Sequence, residues 1–412
     1  MQRGVCMCEV SVILEKLKSF GETEAGTTRL SYSPEFLQAR DFLAAYMQAC
    51  GMNTEIDLMG NLIGSYLGTK PELPVVLTGS HLDTVPNGGN YDGALGIAMP
   101  LACIKKWATE KFRPERTVKV IAMVEEEGTL FNIGCMSSRT LIGEFQNLSE
   151  ANIMDSEGRS FESYLQGAGL AGRVFKEAVW DMSVVKCFIE THIEQGEELI
   201  SQGLSVGLVE TIVGIDRREI VLQGQANHAG TTKMQGRRDA LLGAAEVISK
   251  VNLLAKASAG EFVATVGKLD IFPNAVNVIA GQVKVHIETR AASQIILEQA
   301  YQEIIKILDA VSASCDLTYK IVAEHKIAPI ELSPEITAVF QEVCEKQEIS
   351  FRRLPSWAGH DAKVLAEKVP TGLLFLPSVA GISHSPLEFT REIDIAKGLT
   401  VLEQTLKNLS KI

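Results

Sequence analysis

Several things are scarce in this chain, and each scarcity excludes something. There is no Cys-x-x-Cys pair among its 8 cysteines (Cys6, Cys8, Cys50, Cys103, Cys135, Cys187, Cys315 and Cys344), and the spacing of Cys6 and Cys8 matches no zinc ribbon. Scattered cysteines in a chain this long read as free thiols in a reducing compartment. Basic residues are outnumbered, 39 Lys and Arg against 51 Asp and Glu, giving a net charge of −12. That balance argues against a nucleic-acid partner, whose phosphates require a basic surface. Long apolar runs are missing: the longest, residues 94–104, contains Gly96 and Pro100 and is too short to span a bilayer. The N-terminus makes a poor secretory signal, because Glu9 interrupts its apolar residues. Repeats and low-complexity tracts are absent as well. A cytoplasmic protein with neither nucleic-acid nor membrane partners is expected.

What is present is an ordinary globular composition, 46% hydrophobic and 22% charged over 412 residues, enough for one large domain or two smaller ones. Ser33-Pro34-Glu35 is a helix start, with Ser as cap, Pro in the first turn and an acid at the positive dipole end. Residues 74–78, 118–124 and 371–375 read as buried strands of an α/β sheet. The first two end in polar clusters, and ligands collect at the carboxyl ends of strands in such sheets. The middle third differs. Residues 217–223 and 283–289 alternate apolar and polar, as half-exposed antiparallel strands do. Residues 238–253 between them read as a helix with Leu241, Ala244, Ala245, Val247 and Ile248 as its apolar stripe. A β-α-β-β-α-β module therefore fits 212–328, inserted into a domain made of 1–211 and 329–412.

Histidine is also scarce, with 7 in the chain, and their positions are informative. Five segments gather imidazoles and carboxylates: Gly79-Ser80-His81-Leu82-Asp83-Thr84, Tyr91-Asp92-Gly93, Glu125-Glu126-Glu127-Gly128, Thr191-His192-Ile193-Glu194-Gln195-Gly196 and Ser383-His384-Ser385-Pro386. Singly each is weak, since a His at a strand end is often structural and a Glu triplet is often a solvated face. Together they offer His81, Asp92, Glu127, His192 and His384, a mixed donor set that suits Zn, Mn or Co. Two cations need about that many ligands if one carboxylate is shared, and Asp92 sits in a Gly-rich turn that lets a carboxylate reach both. A pair of cations ~3.5–4 Å apart activates water and polarises a carbonyl. Glu126, beside Glu127, is then the general base. Asp83, two residues after His81, is placed to orient its imidazole.

The order of these segments resembles the aminoacylase/carboxypeptidase-type metallopeptidases. More narrowly, it resembles the amidase branch that hydrolyses ureido (carbamoyl) groups, over nearly the whole chain. The resemblance implies a three-layer catalytic domain with a mixed sheet, carrying an inserted ferredoxin-like α+β domain that serves as lid and dimerisation surface. It implies two divalent metal ions, Zn or Mn, bound by His81, Asp92, Glu127, His192 and His384, with Glu126 as base. Asn227-His228-Ala229-Gly230-Thr231-Thr232 resembles a lid-domain segment whose His supports the oxyanion, usually across a dimer interface; here Lys233 stands where Pro is usual. Gln195, Asn277 and Arg290 match substrate-binding positions, and the Arg290 fork suits a substrate carboxylate. A structural ion pair is the other reading of Arg290. His360 resembles a residue near the site, read as standing behind it or capping a helix, with direct substrate contact as the alternative; Trp357 replaces a usual Gly nearby. His286 reads as structural, His325 as surface, and Cys135 has no base to make it a nucleophile.

The implied partner is a small anionic ureido substrate in a homodimeric enzyme. Residues 273–278 and 358–362 are more similar to the allantoate-hydrolysing members, with N-carbamoyl-L-amino acid hydrolysis as the alternative. A dipeptidase or deacylase, or a non-catalytic ligand-binding homologue, is more distant.

Overall fold

A computed structural model describes residues 2–170 and 174–412, with side chains from residue 9 onward. Cys6 and Cys8 therefore lie outside the described side chains. The chain forms two compact units, Met1–Glu210 with Glu331–Ile412, and Thr211–Ile330.

Apart from a two-residue pair, Glu22–Thr23 with Gly26–Thr27, the strands of the first unit begin with β1 (Asn53–Ile56), β2 (Leu62–Tyr66), β3 (Val75–His81) and β4 (Val118–Met123). They continue with β5 (Val185–Ile193) and β6 (Val206–Ile212). The second unit supplies β7 (Gly214–Gln223), β8 (Phe262–Phe272), β9 (Gln282–Ala291) and β10 (Thr318–Ile327). The chain returns through β11 (Ile330–Glu331), β12 (Phe351–Ser356) and β13 (Thr371–Leu376). The large sheet runs β11-β6-β13-β5-β3-β4-β2-β1, with β12 also paired to β6. Its centre, β13-β5-β3-β4, is parallel, and β6 and β2 flank it antiparallel. Parallel strands are covered on both faces, so β13 is buried at every residue and β4 at all but Lys119.

The helix Ala94–Glu110 packs on β3 and β5 and against the helices Gln2–Lys18 and Glu392–Leu409. Twelve of its 17 residues are buried, so the longest apolar run of the sequence is a core helix. Among the described residues no helix is long and apolar enough to cross a membrane. Pro34–Ala49 starts where the capping signal places it, with Ser33 Oγ accepting from Phe36 N at 3.2 Å.

The second unit has strand order β8-β9-β7-β10, all antiparallel, with the helices Ala240–Ala257 and Gln294–Ser314 between its strands in sequence. That is the ferredoxin-like β-α-β-β-α-β arrangement, with its own apolar core around Leu222, Val247, Val285 and Leu308. Its boundary falls at 211 and 330, where the sequence pattern put 212 and 328. The apolar stripe of Ala240–Ala257 differs from the sequence reading. The buried residues are Ala240, Gly243, Ala244, Val247 and Val251, while Leu241 and Ala245 are exposed. Gly243 explains the shift: a Cβ there would lie 2.3 Å from Leu317 Cδ1, so the helix is turned to let Leu317 approach its backbone.

Candidate active site

The carboxyl ends of the central strands converge. His81 ends β3, His192 stands one residue before the end of β5, and Glu125, Glu126 and Glu127 follow β4. Asp92 reaches the same place from the turn before Ala94–Glu110, and His384 from the loop after β13. His81 and His192 are buried, and each rests its Nδ1 on a main-chain carbonyl: Asp83 O at 2.9 Å and Ile193 O at 3.0 Å. Their Nε2 atoms thereby turn inward, 3.5 Å from each other and 3.1 and 3.3 Å from Asp92 Oδ1. The second oxygen of Asp92 faces elsewhere. Oδ2 lies 3.5 Å from His384 Nε2, which is itself 3.4 Å from Glu127 Oε1. One carboxylate is thus shared between two donor groups, His81–Asp92–His192 and Asp92–Glu127–His384, each tight enough to hold a cation. His81 also lies 3.7 Å from Glu126 Oε2, and His81, Glu126 and Glu127 make a third such grouping.

Charge supports a cation here. Asp83, Asp92, Glu125, Glu190, Asp361 and Glu388 are all buried around this point. Burial lowers the His81 pKa, but Glu126, Asp92 and Asp83 outweigh it and raise it well above the usual imidazole range. Burial raises the Asp92 carboxyl, yet His192 and His81 hold it well below the usual range. Glu127 is pushed up to about 8 by burial and then by Asp92. A pocket so rich in acids draws in positive charge, as protons or as metal ions. The inward Nε2 atoms and hard carboxylate oxygens fit a borderline divalent ion.

Local backbone makes this possible. Gly93 has φ +64°, and a Cβ there would sit 2.5 Å from the His81 ring. Gly79 in β3 could not carry a side chain either, since a Cβ would meet Ile121 O at 1.9 Å.

Several expected residues have partners the sequence did not reveal. The Asp83 carboxylate accepts the main-chain N–H groups of Glu126 and Glu127, both at 3.2 Å, and lies 3.9 Å from His81. It is the Asp83 carbonyl that orients the imidazole, and the carboxylate holds the Glu loop. Gln195, at φ +58°, donates Nε2 to Asp92 Oδ2 at 2.7 Å, and its buried Oε1 has no hydrogen-bond partner among the described residues. His360 packs edge-on against His192 at 4.5 Å and meets Ser356 Oγ at 3.0 Å; its side chain caps no helix. Burial, then His192, pushes its pKa well below the usual range, so it is neutral.

Glu126 is nearly buried, and burial, against the pull of His81, raises its carboxyl well above the usual range. Cys135 Sγ lies 3.4 Å from Glu126 Oε1, and burial beside Glu126 pushes the thiol well up, the reverse of nucleophile activation. Glu125 does not point to the cluster but accepts Leu130 N and Phe131 N at 3.0 and 3.3 Å.

Three further residues belong to the smaller unit. His228 Nδ1 accepts the N–H groups of Gly230 and Thr231 at 3.0 and 3.2 Å, which leaves Nε2–H as a donor. Asn277 is joined to this segment, its carbonyl accepting Ala229 N at 3.0 Å beside the His228–Val278 pairing. Arg290, on β9, holds Glu288 at 2.7 Å. His286 on the same strand meets Asp270 Oδ2 at 3.1 Å, and His325 is exposed on β10.

Sequence reading missed Glu190 and Glu388. Glu190 accepts Ser80 Oγ at 2.7 Å and Ala362 N at 2.8 Å, tying β5 to β3 and to the helix Asp361–Leu365. Its signal was its place two residues before His192 on a buried strand. Glu388 holds the Asp92 turn and follows Ser383 by five residues; nothing local marks a partner 296 positions away.

The sequence pattern of the Peptidase family M20/M25/M40 matches residues 77–408, a span that includes every residue of this cluster. The chain belongs to that family. Allantoate amidohydrolase of Escherichia coli (strain K12) is 37% identical over 395 residues, 96% of each chain. N-carbamoyl-L-amino-acid amidohydrolase of Paenarthrobacter aurescens is 32% identical over 398 residues, 97% of each. Among solved structures, a hydantoinase/carbamoylase-family amidase from Burkholderia multivorans aligns with a TM-score of 0.90 at 29% identity, covering 98% of each chain. The ureido-hydrolysing branch read from the sequence motifs is the branch these relatives represent, and the M20 chain is an enzyme acting on C–N bonds.

Proposed function

We propose that this M20 protein is a metal-dependent hydrolase of linear ureido C–N bonds, with allantoate as substrate and ammonia and carbon dioxide among the products. The observation that carries the reading is the Asp92 carboxylate, whose two oxygens serve two separate donor groups. On this reading His81 and His192 would hold one divalent cation and Glu127 and His384 a second, with Asp92 serving both groups, and the ions would be zinc or manganese. Such a pair, when bound, supplies Lewis acidity toward the carbonyl and toward water.

The chain's own groups do the rest. Glu126 takes the proton of the attacking water on a carboxylate oxygen and delivers it to the leaving nitrogen; its burial, which favours the protonated form, supports this shuttle. His228 donates Nε2–H to the developing oxyanion, supported by the two main-chain donors that occupy its Nδ1. Gln195, Asn277 and Arg290 hold the substrate, with Gln195 Oε1, which has no hydrogen-bond partner among the described residues, as an acceptor for a ureido N–H. Arg290 supplies the local cation that lets a protein of net charge −12 take an anionic substrate. Its ion pair with Glu288 supports the structural reading as well, so Arg290 exchanges or shares partners when substrate binds. We further infer a homodimer in the reducing cytoplasm, a compartment that suits buried thiols such as Cys50, Cys187 and Cys344.

N-carbamoyl-L-amino acids are the second reading, since an amidohydrolase of that class is also a relative. The greater identity to the allantoate amidohydrolase favours allantoate. The test is ammonia release from allantoate and from N-carbamoyl-L-amino acids after reconstitution with Mn²⁺ and with Zn²⁺. Higher kcat/KM on allantoate is expected. Preference for the carbamoyl-amino acids selects the second reading, and turnover of neither overturns both.

A further inference from the structure

The Asp92 turn is anchored by a residue from the far end of the chain. Glu388 is almost wholly buried in the loop that leads to the helix Glu392–Leu409. Its Oε1 accepts the main-chain N–H groups of Tyr91 at 2.8 Å and Asp92 at 3.0 Å. Its Oε2 lies 3.0 Å from Ser383 Oγ, which is also 2.8 Å from Asp92 Oδ2. Space is reserved for this carboxylate: a Cβ on Gly89 would fall 2.3 Å from Glu388 Oε1.

The two donor groups are held in unlike ways. His81 and His192 belong to strand ends, are buried and rest on carbonyls. His384 stands on a loop with its side chain 47% exposed. The described hydrogen bonds that join its loop to the Asp92 turn run through Ser383, Gln195 and Glu388.

We propose that Glu388 is a positioning residue that locks the Asp92 turn to the Ser383–His384 loop and thereby sets how tightly the Asp92–Glu127–His384 group holds its cation. The inference rests on the metal-centre reading above. Glu388 touches neither substrate nor cation; it acts by satisfying two N–H groups that would otherwise point the Asp92 carboxylate elsewhere, and outer residues of this kind change metal affinity by roughly 10- to 100-fold.

The test is a Mn²⁺ titration of metal-stripped full-length protein, with free Mn²⁺ counted by its electron-spin resonance signal and folding followed by circular dichroism. Wild type takes up two equivalents. Glu388→Ala weakens one equivalent by roughly 10- to 100-fold and changes the other much less. Glu388→Gln, whose amide oxygen can accept both N–H groups, restores uptake to near wild type. At saturating Mn²⁺ the alanine variant regains kcat with KM for the ureido substrate unchanged. If Glu388→Ala does not fold, Glu388→Asp is read instead; its shorter reach gives the same selective loss. Wild-type uptake of both equivalents by the alanine or aspartate variant overturns the inference, as does a glutamine variant as impaired as alanine. A wild type that binds no Mn²⁺ overturns the metal-centre reading itself, and this inference with it.

Discussion

Glu126 stands one residue from Glu127, a proposed cation ligand, and the proposed function gives it a different task. Its carboxyl is nearly buried, one oxygen is touched by the Cys135 thiol, and the other lies toward His81. Glutamine at this position keeps the shape and loses the basicity. Glu126→Gln is expected to lower kcat by roughly 10²- to 10⁴-fold. Metal content, measured on the same sample by elemental analysis, is expected to stay at the wild-type level. Full turnover with metal bound contradicts the assignment. The individual side chains could be picked out because His81, His192 and Glu127 fall at or near the ends of apolar strands, Asp92 in a Gly-rich turn and His384 in a Ser-His-Ser-Pro segment. Asp83 shows where such reading stops: type and spacing indicated that it serves His81, but which of its atoms does so depends on backbone direction.

At the scale of elements, one junction places Asp92 and another ties its helix to the C-terminal helix. The turn into Ala94–Glu110 places Asp92 by taking Gly93 into a left-handed conformation against the His81 ring. Gly93→Ala puts a methyl 2.5 Å from that ring and adds backbone strain of about 1–3 kcal/mol. The expected result is a protein that folds with a lowered Tm and has lost His81-dependent metal binding, checked by thermal melts with and without Mn²⁺; unchanged metal stabilisation contradicts it. The second junction joins Ala94–Glu110 to Glu392–Leu409 through Glu403, which contacts Lys106 and Lys407 at 2.7 Å and Trp107 Nε1 at 3.2 Å. Burial raises the Glu403 carboxyl, but Lys106 and Lys407 outweigh it and leave it below the usual range. A lowered folded-state pKa stabilises above the unfolded value of about 4.3 and is lost as pH falls through the folded value. Glu403→Gln is therefore expected to cost about 1–3 kcal/mol at neutral pH, with the gap to wild type closing in melts below about pH 4. A pH-independent gap contradicts the pairing. Strand and helix positions were legible from periodicity and capping, as at Ser33. The face of Ala240–Ala257 was not, because Gly243 counts as a weak position in a pattern yet admits Leu317 to the backbone.

At the scale of the molecule, the chain leaves its first unit near 211, builds a ferredoxin-like unit around a separate core, and returns near 330. The change from continuous apolar strands to alternating ones made that insertion legible, because parallel strands are covered twice and the antiparallel ones once. Contacts between distant parts of the sequence were not legible. Glu388 meets the Asp92 turn across 296 positions and Glu190 meets Ala362 across 172, with no local pattern at either end. Such residues matter because five donors drawn from strands β3 and β5 and from three loops must arrive within a few ångströms of one another. The most direct measurement of the account is therefore a metal count on active protein: elemental analysis of divalent ions per chain, paired with ammonia release from allantoate on the same preparation before and after chelation. Two Zn²⁺ or Mn²⁺ per chain, with activity lost on chelation and restored by adding metal back, is the predicted result. Full activity in protein that holds no stoichiometric divalent ion would contradict it.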